Sequence, residues 1–120
     1  MSGKLTTHVL DTSIGRPAEG LLVELWRYEP SYGEFQKMCE GELNEDGRFD
    51  KPLLEGETFK KGRYELLFHV HTYFEKQGLD QSEPPFYNVV PVSFGIAHQN
   101  EHYHVPLLIA PGGYSTYRGS

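Results

Sequence analysis

Apolar and polar residues alternate from the fifth position onward. Leu5, Thr7 and Val9 interleave with Thr6, His8 and Leu10, and the alternation ends in the turn-rich stretch Asp11-Thr12-Ser13-Ile14-Gly15-Arg16-Pro17. This predicts a strand over residues 5–10 with Leu5, Thr7 and Val9 facing a core and Thr6, His8 and Leu10 turned outward. The same pattern predicts strands over residues 21–28, 35–42, 62–71, 87–96, 102–110 and 113–118. A further short strand, residues 48–50, is expected after Asn44-Glu45-Asp46-Gly47, because Asp-Gly supplies the positive φ that a tight hairpin turn needs. In the stretch 102–110, Tyr103, Val105, Leu107 and Ile109 should face the core and His102, His104, Pro106 and Leu108 should face outward.

Only one stretch reads as helix. Thr72 with Glu75 three residues on resembles a capping box, and Gly78 can stop the segment after about two turns. Short strands punctuated by frequent turns, with one connector helix, point to an all-β sandwich of two sheets. A chain of 120 residues fits one domain. Leu10 and Leu108 on otherwise outward faces suggest that this side is covered by another subunit.

Charge narrows the partners. Seventeen acidic against eleven basic residues, the latter scattered, argue against nucleic acid, and no apolar run is long enough for a membrane span. The single Cys39 has no partner for an internal disulfide, and the opening residues carry no secretion signal, so a cytoplasmic protein is expected.

Six histidines raise the question of a metal. His69-x-His71 and His102-x-His104 would each place two imidazoles on one face of a strand, but the spacing is unspecific and no Cys-x-x-Cys accompanies it. No metal site and no cofactor are expected. Nor is there a Gly-x-Ser-x-Gly elbow or a base beside Cys39. By pattern alone His8 and His104 read as surface histidines and Arg48 as a solvated charge.

A resemblance changes that reading. Thr7-His8-Val9-Leu10-Asp11, Asp46-Gly47-Arg48, His102-Tyr103-His104-Val105-Pro106-Leu107-Leu108 and Tyr117-Arg118-Gly119-Ser120, in that order, resemble the 5-hydroxyisourate hydrolases, the transthyretin-related enzymes of urate breakdown. The last tetrapeptide is the most specific element, since transthyretin carriers share the fold and lack it. The resemblance implies a transthyretin-like (prealbumin-like) sandwich of two four-stranded sheets with one short helix. It also implies a homotetramer, a dimer of dimers, with active sites in a central channel.

Carried onto this sequence, the catalytic groups are His8, Arg48 and His104, and the substrate contacts are these three with Tyr117, Arg118 and Ser120. The implied substrate is 5-hydroxyisourate and the implied reaction is hydrolytic opening of its six-membered ring. Imidazole suits proton transfer to and from water near neutral pH, and a guanidinium suits an oxyanion. Which imidazole is the base stays open, as does whether Arg118 binds substrate or anchors the tail. His69, His71 and His98 match no functional position of the family. The alternative is a small-ligand carrier of the same fold, which would have a channel without His8, Arg48 and His104.

Overall fold

The computed structural model describes residues 3–120. The alternation at the start folds as β1 (Lys4–Asp11), with Leu5, Thr7, Val9 and Asp11 buried and Thr6, His8 and Leu10 half-buried on the opposite face. The remaining elements are β2 (Arg16–Pro17), β3 (Leu22–Glu29), β4 (Glu34–Glu42), β5 (Leu54–Glu55), β6 (Gly62–Phe68), α1 (Val70–Lys76), β7 (Val90–Ile96), β8 (Tyr103–Ala110) and β9 (Gly113–Thr116). One sheet has the order β4-β3-β6-β7; the other runs β2-β1-β8-β9, with β5 also paired to β1. The two pack as the expected sandwich around Leu5, Val9, Leu25, Tyr64, Leu66, Phe68 and Leu107, all fully buried.

β1 and β8 are parallel, and the other strand pairs are antiparallel. The parallel register sets Thr6 opposite His104 and His8 opposite Pro106. Opposed residues share a face of the sheet, so His8 and His104 emerge side by side on its outer surface, away from the core.

The segment 48–50 is a loop rather than the expected strand. Asn44 accounts for the difference. Its main chain bonds both Gly47 N and Arg48 O, and its side-chain oxygen accepts from the N–H groups of Asp46 and Arg48. The turn is therefore closed on itself and launches no ladder. Gly47 holds φ +73°, and a side chain there would meet the Val9 carbonyl, whereas its own carbonyl accepts from Val9 N at 3.0 Å. The strand anticipated at this place is the two-residue β5, six residues later.

Other boundaries shift for similar local reasons. The strand expected to reach residue 71 ends at Phe68, and α1 starts at Val70 with His69 as its N-cap. Val70, Tyr73 and Phe74, three and four residues apart, pack into the core and fix the earlier start. Thr72 is thus inside the helix, its hydroxyl donating back to His69 O, and caps nothing. His69 and His71 consequently do not share a strand face, nor do His102 and His104, since β8 begins at Tyr103. β7 begins at Val90 rather than Tyr87, whose ring instead packs edge-on between Phe86 and Tyr114.

α1 is tied to β1 through one buried polar contact. Asp11 is 1% exposed, and one carboxylate oxygen accepts from Tyr73 OH at 2.8 Å while the other accepts from Ser13. Burial, followed by the hydrogen bond to Asp11, pushes the Tyr73 phenol well up. Tyr73→Phe leaves a buried carboxylate oxygen without its donor and should cost about 1–3 kcal/mol. Urea unfolding measures it, and a loss within 0.3 kcal/mol or so of zero would show that solvent replaces the phenol.

Candidate active site

Three segments far apart in sequence meet on the outer face of the β2-β1-β8-β9 sheet. β1 supplies His8 and Thr6, and β8 supplies His104. The third segment is the loop 44–53, which runs along the free edge of β1 between β2 and β5, bonded through Gly47 O to Val9 N and through Leu53 N to Leu5 O. Arg48 sits on this loop with its side chain exposed, at a cleft shared with Thr6, Thr7 and Phe49.

Burial and the charge of Arg48 bear on both histidines. His8 has its proton affinity lowered first by burial and then by the charge of Arg48, partly offset by the backbone and charge of Asp46. His104 is lowered by burial, then by Arg48, then by His8. The charge of Arg48 therefore bears on both rings, and that of His8 on His104. The consequence is a pair of imidazoles kept neutral around pH 7, next to a permanent cation.

The tail 117–120 lies on the other side of His104. The β8–β9 register, Leu107 opposite Thr116, continues to an isolated bridge between His104 and Gly119, with Gly119 N donating to His104 O at 2.8 Å. Ser120 is the next residue along the chain. Tyr117 is 58% exposed. Arg118 is engaged elsewhere: its guanidinium stacks 4.2 Å from the Tyr103 ring centre, and Nη2 donates to His102 O at 3.2 Å and meets Glu101 Oε1 at 3.4 Å.

Of the residues expected from the sequence, His8 and His104 share the outer face of paired strands, the charge of Arg48 bears on both, and the tail meets His104 through Gly119. Two contributors were missed. Thr6 Oγ1 lies 2.8 Å from His104 Nδ1. Asn44 shapes the loop that holds Arg48. Thr6 could have been found from its place two residues before His8 on the same strand face; Asn44 carried only a turn signal. The remaining histidines do other work or stand apart. His69 Nε2 pairs with Glu24 at 2.5 Å on the opposite sheet, and no group of three or more His, Cys, Asp or Glu able to hold a metal occurs among the described residues.

A sandwich with this strand order and a parallel pair at the heart of one sheet defines a transthyretin-type protein, here with an imidazole pair and an arginine on its outer face. The sequence matches the HIUase/Transthyretin family over residues 5–119, and the chain belongs to that family. It is 57% identical over 120 residues to a 5-hydroxyisourate hydrolase of Halalkalibacterium halodurans, covering 100% of both chains. Among solved structures, Klebsiella pneumoniae 5-hydroxyisourate hydrolase superposes with a TM-score of 0.80 at 34% identity, over 98% of this chain and 99% of the other. The structure of an (S)-allantoin synthase superposes with a TM-score of 0.92 at 43% identity over 99% of this chain, which spans only 44% of that longer protein.

Proposed function

We propose that the protein hydrolyses 5-hydroxyisourate to 2-oxo-4-hydroxy-4-carboxy-5-ureidoimidazoline, a step of urate degradation. The observation that carries this reading is the parallel pairing that sets His8 and His104 on one sheet face, with the Arg48 loop bonded to the edge of β1. The full-length similarity to a 5-hydroxyisourate hydrolase supports it. Water gives a proton to an imidazole as its oxygen adds to a ring carbonyl. The proton passes to the departing nitrogen as the C–N bond breaks, leaving an N–H and a carboxylic acid that gives its remaining proton to solvent. Arg48 holds the oxygens of the substrate and stabilises the charge that gathers on the attacked carbonyl.

Tyr117 and Ser120 contact the substrate in this reading. Arg118, already committed to Tyr103, Glu101 and His102 O, serves as the anchor that presents them. The protein works as a homotetramer with this sheet face turned inward, in keeping with half-buried Leu10 and Leu108 beside the histidines. It acts in the cytoplasm, in keeping with a single, unpaired Cys39. No helix among the described residues is long and apolar enough to cross a membrane.

The test is an ultraviolet absorbance assay in which urate oxidase generates 5-hydroxyisourate in place and the protein is added. Acceleration over spontaneous decay is expected; an unchanged decay would overturn the assignment. Sedimentation velocity tests the assembly, where a monomer at working concentration would rule the tetramer out.

The pH profile carries a signed prediction. Both histidines are lowered from 6.5, so the neutral forms persist as pH falls through that value. The acid limb of kcat/KM should therefore lie below pH 6.5. A limb at or above it would mean that neither ring is the titrating group.

A further inference from the structure

His104 is gripped on both flanks. On the β1 side Thr6 stands directly opposite in the parallel register, with Oγ1 2.8 Å from Nδ1. On the tail side Gly119 lies against Cδ2. Nδ1 and Cδ2 are the two ring atoms bonded to Cγ, so with both flanked by the protein, Nε2 and Cε1 form the ring's outer edge.

A threonine hydroxyl can donate or accept, so the bond to Nδ1 fits either tautomer in isolation. Two neighbours decide between them. The Thr6 backbone also favours the protonated form of the His104 ring, the direction in which an acceptor on the Nδ1 side acts. The charge of Arg48 also bears on the ring, and a guanidinium, which has donors only, favours a lone pair over a second N–H on the nitrogen left free. The groups facing His104 are thus Thr6 and His8 from β1, Arg48 from the loop, and Gly119 from the tail.

We propose that Thr6 is a positioning residue that accepts the Nδ1–H of His104, holding an unprotonated Nε2 toward the site and making His104 the base of the imidazole pair. Nε2 then takes the proton from water as the oxygen adds to the ring carbonyl. His104 hands that proton to the departing nitrogen as the C–N bond breaks, and His8, the other neutral imidazole, is left to hold the attacking water in place. The inference rests on the hydrolase reading and goes beyond it by separating two roles that the charges alone leave equivalent.

Two-bond proton–nitrogen correlation spectra of the ¹⁵N-labelled protein report the tautomer without reference to activity. The native protein should show His104 protonated at Nδ1, and Thr6→Val should move the proton toward Nε2. Removing a partner that fixes a histidine tautomer lowers function about 10- to 100-fold in metal sites, and a kcat loss of that order with little change in KM is expected here. Thr6→Ser, which keeps the hydroxyl, should restore both the tautomer and the rate. A native Nε2–H tautomer, or full kcat in Thr6→Val, would overturn the proposal. If Thr6→Val does not fold, the native spectrum decides alone. Full turnover in His104→Asn would overturn the hydrolase reading of this ring instead, whatever the spectra of the Thr6 variants show.

Discussion

Arg48→Ala is expected to lower kcat by about 10²- to 10³-fold, the loss that follows removal of one preorganised oxyanion donor. Its guanidinium is the one cation whose charge bears on both His8 and His104. Because the side chain is exposed, its removal should leave the melting transition within about 0.5 kcal/mol of the parent. A second change should accompany the first. Arg48 depresses the proton affinity of both rings, so without it both should titrate higher and the acid limb of kcat/KM should move up. A rate loss without that movement would place Arg48 on the substrate alone. Undiminished turnover would remove it from the mechanism.

Gly119→Ala should cost about 100-fold in kcat, the scale of a misplacement near 1 Å. A Cβ there would stand 2.5 Å from His104 Cδ2 and 3.2 Å from Cγ. The tail cannot easily yield, since Gly119 N is bonded to His104 O and Arg118 is held by Tyr103 and Glu101. The imidazole must turn instead, and its bond to Thr6 goes with it. The ring is only half-buried, so the fold should be spared. Steady-state kinetics beside a thermal melt read both effects, and deletion of residues 117–120 should reproduce the loss. Full activity in the alanine variant would show that the ring has room to accommodate the methyl group.

The alternation around Thr6, His8 and Leu10, and around His104 and Leu108, placed the outward faces of β1 and β8 correctly, because period two is a direct property of the extended chain. What alternation does not encode is which strands become neighbours. Thr6 and His104 are 98 residues apart, and only the parallel pairing of β1 with β8 makes them partners. The same limit explains the segment after Gly47. Asp-Gly marked a turn, but whether the turn closes a hairpin or folds back on Asn44 depends on hydrogen bonds to β1 that no local pattern contains. The helix start is not legible at Thr72, because a local capping signal contains nothing of the burial of Val70, Tyr73 and Phe74. Grouping His8, Arg48 and His104 as one site came from the family resemblance, since each alone looks like a surface residue.

The loop 44–53 has one further consequence, for solubility. β2 and β5 cover only the two ends of the free edge of β1, and Gly47 O on Val9 N with Ala18 N on Val9 O extends the cover inward from β2. An uncovered strand edge is a template for pairing with other chains. The segment that delivers the guanidinium is therefore also the guard against self-association at that edge. Substitutions that loosen it should show up as aggregation as well as lost turnover, whereas a change confined to the Arg48 side chain should separate the two.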